Sequence, residues 1–245
     1  MKLALFIPCY IDQFYPEVGK ASLSLLSKLG YNVEVPAGSN CCGQPIANAG
    51  FEKEAQGLYL DFVETYARYD CIIIPSGSCT LHICEHYDTL TQNIAVERVR
   101  ANTYDICDFL LQFCMDKLPD ISFPHKINLH TGCHSLRGLG AGHPSELHGE
   151  QSSSLEDLLK NVNDYDITPT NRPDECCGFG GTFSIMEEAV SVKMGEDKID
   201  DISQGNPDFL VGNDMSCLMH LDGVLRRKDS PVQVKHIIEI LDAAL

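Results

Sequence analysis

Asp70-Cys-Ile-Ile-Ile-Pro-Ser-Gly-Ser-Cys79-Thr-Leu-His82-Ile83 aligns without a gap on Asp208-Phe-Leu-Val-Gly-Asn-Asp-Met-Ser-Cys217-Leu-Met-His220-Leu221. In each stretch an aspartate opens a short apolar run, a turn-forming segment follows, and a cysteine and a histidine stand three positions apart. An almost wholly apolar run of this length reads as a strand buried on both faces, the kind found in parallel sheets. Three more blocks recur in the same order around this pair. Lys2-Leu-Ala-Leu-Phe-Ile-Pro-Cys9 matches Lys126-Ile-Asn-Leu-His-Thr-Gly-Cys133, and Cys41-Cys42-Gly43 matches Cys176-Cys177-Gly178. Asp105-Ile-Cys-Asp-Phe-Leu-Leu resembles His236-Ile-Ile-Glu-Ile-Leu-Asp. One such match arises easily by chance, and four in order do not, so the chain reads as a duplication. The copies join near Pro119 to Pro124, where prolines break the periodic pattern, which predicts units at residues 1–120 and 121–245.

Within the first copy, Leu3 to Pro8, Asn32 to Pro36 and Cys71 to Pro75 read as strands. Between the first two, Val18, Ala21, Leu25 and Leu29 recur at helical spacing, with Pro16 near the start and Gly30 past the end. Phe51, Ala55, Leu58, Phe62 and Tyr66 mark a second helix. The second copy predicts strands at 127–131 and 208–212, a helix near 153–162 and a long one near 182–203. Strand and helix alternate, which predicts an α/β fold: two tandem, pseudo-symmetric three-layer halves, each a small parallel sheet covered by helices.

Acidic residues outnumber basic ones by 35 to 18, a formal charge of −17, which argues against nucleic acid and anionic membrane as partners. No stretch approaches the ~20 apolar residues of a membrane span, and no secretion signal is visible, so the expectation is a cytoplasmic protein. Twelve cysteines in a reducing compartment point to metal or redox chemistry rather than to disulfides.

The repeated cysteines end or follow predicted strands. In a parallel sheet the carboxyl ends of the strands share one edge, where ligands bind. Cys9, Cys41, Cys42 and Cys79 are therefore expected to converge, as are Cys133, Cys176, Cys177 and Cys217. Soft thiolates select zinc or iron–sulfur clusters. The paired Cys-x2-4-Cys knuckles of zinc sites are absent. An adjacent cysteine pair suits a cluster, whose several irons each take one thiolate. His82 and His220, one helical turn beyond Cys79 and Cys217, are candidate extra ligands or neighbours of the centre, and His134, with Tyr10 in its place in the first copy, is a weaker one. Cys71, Cys84, Cys107 and Cys114 have no counterpart and read as small core residues. Ser78 and Ser216 read as turn or helix-cap residues. No G-x-G-x-x-G follows a strand, so a nucleotide cofactor is not expected. Three readings stay open on these residues: an electron-transfer protein, a zinc-binding scaffold or assembly subunit, and a thiol–disulfide redox protein using the adjacent pairs.

Two copies of a spaced cysteine, then Cys-Cys-Gly, then a small-residue turn with cysteine resemble the cysteine-rich CCG domain, found in heterodisulfide reductase B subunits and glycolate oxidase iron–sulfur subunits. Among its members, the arrangement is most similar to the A subunits of lactate-utilisation systems. The resemblance implies a [4Fe–4S] cluster in one or both halves on the eight paired cysteines, with zinc open for one half. It also implies partner subunits, one carrying ferredoxin-type clusters, in the oxidation of L-lactate to pyruvate. Where the heterodisulfide reductase subunit has a further cysteine in the last block, His82 and His220 stand here, which puts disulfide chemistry at a non-cubane cluster in doubt.

Overall fold

The computed structural model describes residues 1–38, 41–148 and 152–243. The apolar runs form the inner strands of two sheets. The first sheet contains β1 (Leu3–Leu5), β2 (Val33–Glu34), β3 (Cys71–Ile74) and β4 (Thr103–Asp105), in the order β2-β1-β3-β4. A short strand β5 (Ile121–Ser122) and its parallel partner β7 (Val162–Asn163) form a separate ribbon at the predicted joint. The second sheet contains β6 (Lys126–His130), β8 (Asp166–Ile167), β9 (Phe209–Gly212) and β10 (Gln233–His236), in the order β8-β6-β9-β10. All pairings in both sheets are parallel. The register repeats as well: Leu3 lies opposite Cys71 as Ile127 lies opposite Phe209, and Ile74 opposite Asp105 as Gly212 opposite His236.

The structure adds, in the two sheets, strands β4, β8 and β10 to those the sequence predicts, besides the ribbon β5–β7. Each is short and carries polar residues (TYD, DI and QVKH), so none shows an apolar run. Pro16–Lys28 is helical as its periodicity predicts, and it ends at Gly30 in a left-handed conformation (φ 87°). The buried stripe of Glu52–Tyr66 is Ala55, Tyr59, Phe62, Val63 and Tyr66; Phe51 precedes the helix and is exposed, and Leu58 sits on the margin of the stripe. The long helix predicted near 182–203 is broken at Glu187 into Phe183–Met186 and Glu188–Ser203.

Alternation along the strands sorts their side chains into separate cores. Leu3, Leu5 and Ile73 point inward with Ile127 and Val211 of the second sheet, into one central core. Side chains of the helices Pro16–Lys28, Ile106–Phe113, Ser154–Leu158 and Ile237–Asp242 fill the space between the sheets. Ala4, Phe6, Ile72 and Ile74 point the other way, against Glu52–Tyr66 and the helix Ile94–Ala101. Leu210 of the second sheet packs outward with Glu188–Ser203 and the helix Met215–Arg227, joined by Ile11 and Val18 of the first half. The central core thus belongs to both halves. No described helix is long and apolar enough to cross a membrane.

Candidate metal centres

All eight paired cysteines lie at or beyond the carboxyl ends of parallel strands. Cys9 opens the helix Cys9–Phe14 after β1, and Cys133 stands three residues past the end of β6. Cys79 lies in the short helix Gly77–Leu81 after β3, and Cys217 lies in the first turn of Met215–Arg227 after β9. The doublets occupy loops that Gly43 and Gly178 turn with left-handed backbones (φ 86° and 90°). A Cβ at Gly43 would meet the Tyr59 ring at 2.5 Å, and one at Gly178 would meet the Ser191 carbonyl oxygen at 2.7 Å. Both positions therefore need glycine for conformation and for space. Each glycine N–H also donates to the first sulfur of its doublet at 3.4 Å, Cys41 in one half and Cys176 in the other.

The sulfurs meet in two quartets. Cys42 Sγ lies 3.2 Å from Cys79 Sγ, and Cys177 Sγ 3.0 Å from Cys217 Sγ. Cys41 hydrogen-bonds both Cys42 and Cys9, and Cys176 both Cys133 and Cys177. No disulfide joins any of the twelve cysteines among the described residues. Hydrogen bonds from Cys42 and Cys9 hold the Cys41 thiol far below its usual range, and those from Cys133 and Cys177 do the same for Cys176. The donors are pushed up in turn: Cys9 by its bond to Cys41 and by burial, Cys133 by its bond to Cys176 and by burial. Cys41 and Cys176 are thus the favoured thiolates, each beside two thiols of its own quartet whose ionisation is opposed.

Cys9, Cys42 and Cys79 share one cleft with all four cysteines of the second quartet, enclosing about 750 Å³ with open solvent included. Between the quartets, Tyr10 meets Phe179 edge-on at 5.5 Å, and Gln44 Nε2 lies 3.5 Å from His134 Nε2. His134 Nδ1 lies 3.8 Å from Cys133 Sγ. The buried Asp214 carboxylate joins the two cysteine-bearing helices. It accepts from the Ser78 N–H (2.8 Å) and the Ser76 hydroxyl (3.2 Å) on one side, and from the Ser216 N–H (3.0 Å) and hydroxyl (2.6 Å) on the other. Ser76 and Asp214 cap these helices, not Ser78 and Ser216.

The histidines fall differently from the sulfurs. His82 is buried, its Nε2 lies 3.0 Å from the Tyr59 hydroxyl, and burial lowers it to about 4. His220 Nε2 donates to the Ser191 carbonyl at 3.2 Å, and burial lowers this imidazole too. Sequence reasoning passed over His130, the last residue of β6. It is 1% exposed, neither ring nitrogen has a hydrogen-bond partner among the described residues, and burial lowers it to about 3. An unpaired buried polar group costs about 1–3 kcal/mol. Its ligand atom and the sulfurs of Cys177 and Cys217 all lie within 4.8 Å of one another, the one such trio of possible metal ligands among the described residues. The signal was visible in the repeat, where His130 stands against Phe6 in otherwise similar strands. Of the unpaired cysteines, Cys71, Cys107 and Cys114 are buried in the central core and Cys84 is half-buried. Burial pushes Cys71 up to about 12 and Cys84 to about 11, as for inert core thiols.

Soft sulfur donors in fours, none consumed in a disulfide, fit a thiolate-bound metal centre in each half. The comparisons agree with that chemistry. A family model for the cysteine-rich domain matches residues 3–84 and again 127–222. Lactate utilization protein A of Geobacillus kaustophilus is 35% identical over 247 residues, covering 99% of this chain and 99% of its own. That of Bacillus licheniformis is 34% identical over 249 residues, covering 99% and 100%. That of an Exiguobacterium species is 37% identical over 247 residues, covering 98% and 96%. Among solved structures, glutamate racemase of Francisella tularensis aligns at 12% identity and a TM-score of 0.36 over 99% of this chain and 78% of its own, too loosely to carry an argument. With its quartets and both domain matches in tandem, the chain belongs to the cysteine-rich CCG domain family.

Proposed function

We propose that this protein is an iron–sulfur electron-transfer subunit of an oxidoreductase complex that oxidises L-lactate to pyruvate. The observation that carries the reading is the convergence of eight thiols into two quartets, seven of them lining one cleft. Cys9, Cys41, Cys42 and Cys79 would hold one cluster, and Cys133, Cys176, Cys177 and Cys217 the other. A bound [4Fe–4S] cluster supplies one-electron chemistry near protein-set potentials. The chain supplies sulfur ligands, the Gly43 and Gly178 N–H groups beside them, and a cleft partly closed by Tyr10 and Phe179. The lactate assignment comes from the names of the relatives. It calls for partner subunits, one with ferredoxin-type clusters to carry electrons onward, in a reducing compartment that keeps the thiols free.

The test is anaerobic preparation with iron and sulfide, followed by metal and acid-labile sulfide analysis per chain. Visible absorbance that is reduced in Cys42→Ser and in Cys177→Ser is the expected result. Zinc without iron would replace this reading with a zinc-binding scaffold, and a metal-free chain would sink it.

A further inference from the structure

We propose that His130 is a nitrogen ligand to metal in the second centre, so that the two centres of one chain have different donor sets. The inference rests on the reading of the quartets as metal centres and adds a donor that the eight cysteines do not provide.

The two halves supply their own control. Phe6 directly follows β1, one step past Leu5, and His130 ends β6, one step past Leu129. Phe6 is fully buried, edge-on to Phe62 at 5.0 Å and to Tyr66 at 5.7 Å, and a phenyl ring has no polar atom to satisfy. His130 is buried as deeply, yet both of its nitrogens are unpaired. The nearby polar groups that could have served it are otherwise engaged. Lys198 Nζ donates to the Arg172 and Pro173 carbonyls, and the Asp214 carboxylate accepts from Ser76, Ser78 and Ser216. What does stand beside the ring is the sulfur pair Cys177 and Cys217, 3.0 Å apart and within 4.8 Å of its ligand nitrogen.

That envelope suits one metal atom. Metal–nitrogen bonds of ~2.0–2.1 Å and metal–sulfur bonds of ~2.3 Å place donors on a shared tetrahedral atom roughly 3.3–3.8 Å apart. The atom is a single zinc ion, which takes all three donors, or an iron of a cluster, whose one outer position the nitrogen takes in place of Cys177 or Cys217. On iron, a neutral imidazole in place of an anionic thiolate raises the reduction potential. The second centre then sits above the first and receives its electrons.

The experiment uses the full chain with Cys41→Ser and Cys42→Ser, which empties the first centre so that spectra report the second. Metal, sulfide and zinc content are measured first. Iron-loaded protein is reduced and read by pulsed EPR; zinc-loaded protein is read by X-ray absorption. The expected result is a strongly coupled nitrogen, or a nitrogen scatterer at ~2.0–2.1 Å beside sulfur. It disappears in His130→Phe, the residue of the first half, and in His130→Cys, which keeps a full metal load on sulfur alone. An all-sulfur shell with His130 in place overturns the assignment. So does a nitrogen signal that survives in either variant, or metal bound by the unaltered chain but not by the double variant. An unaltered chain that binds no metal at all overturns the proposed function instead.

Discussion

The two halves keep the same strand order, the same register and the same four sulfurs, and differ in what surrounds them. Phe6 faces an aromatic cluster where His130 faces two cysteines. Asp105 and His236 cap equivalent helices after β4 and β10, one through a carboxylate and one through an imidazole Nδ1. Burial raises Asp105 to about 7 and lowers His236 to about 4. Duplication has preserved the parts that place sulfur and released the parts that set its electrical surroundings. Two copies of one ligand cage can thereby become two centres of unequal character.

The sharpest way to break the comparison is to separate the halves. Residues 1–120 expressed alone would expose the central core that Leu3, Leu5 and Phe109 share with Ile127, Val211 and Ile238. That fragment is expected to lack cooperative unfolding and native-like near-ultraviolet circular dichroism, because half of a shared core leaves too little apolar area buried. The next largest effect is on metal content. Cys42→Ser and Cys177→Ser are each expected to remove about half of the bound iron and sulfide, since each strips one quartet of a ligand. Equal losses support two like-sized centres, and loss confined to one variant leaves a single cluster.

Gly43→Ala and Gly178→Ala test how closely the doublet loops match. Each is expected to cost roughly 2–4 kcal/mol in urea unfolding, from a left-handed backbone and crowding. Gly178→Ala should cost more, because the Ser191 carbonyl cannot step aside as the Tyr59 ring can. The helix caps give a pH test on metal-free protein. The folded state binds a proton at Asp105 more tightly than the unfolded chain does, so its contribution favours folding in acid and is lost as pH rises towards 7. His236 works the other way: its contribution is present above the ordinary imidazole value and is lost as pH falls towards 4. Asp105→Asn leaves the histidine slope unopposed, so stability should rise more steeply between pH 4 and 6.5, and the variant should gain up to about 4 kcal/mol over the parent above pH 7. Smallest is Lys28→Ala, which cuts an exposed ion pair to Asp242 across the halves and should cost under about 1 kcal/mol.

Much of this was legible in the sequence because it was written twice. Four aligned blocks gave the duplication, the inner strands β1, β3, β6 and β9, and the eight cysteines that the fold gathers. Of the edge strands, β2 was predicted, and β4, β8 and β10 were illegible for a physical reason. A strand of two to four residues is too short to show a period, and what Thr103–Asp105 and Gln233–His236 bury is largely polar (Thr103, Asp105, His236), so they carry no apolar run to find. The break at Glu187 was masked because the pieces on either side keep one helical rhythm. His82 and His220 recurred at a matching offset, yet their Nε2 atoms meet Tyr59 and Ser191, a hydrogen-bonding outcome that spacing cannot encode. His130 lay in a mismatch, and a search for repeats rewards agreement.

The shared central core has a consequence for assembly. Two redox proteins that meet only in solution lose contact on dilution, and the span between their centres changes with every encounter. Here the tether is the fold itself, so the local concentration of one site near the other is constant however scarce the protein becomes. In the proposed electron-transfer role, a visiting partner would find a pair already spaced and would need to dock only once.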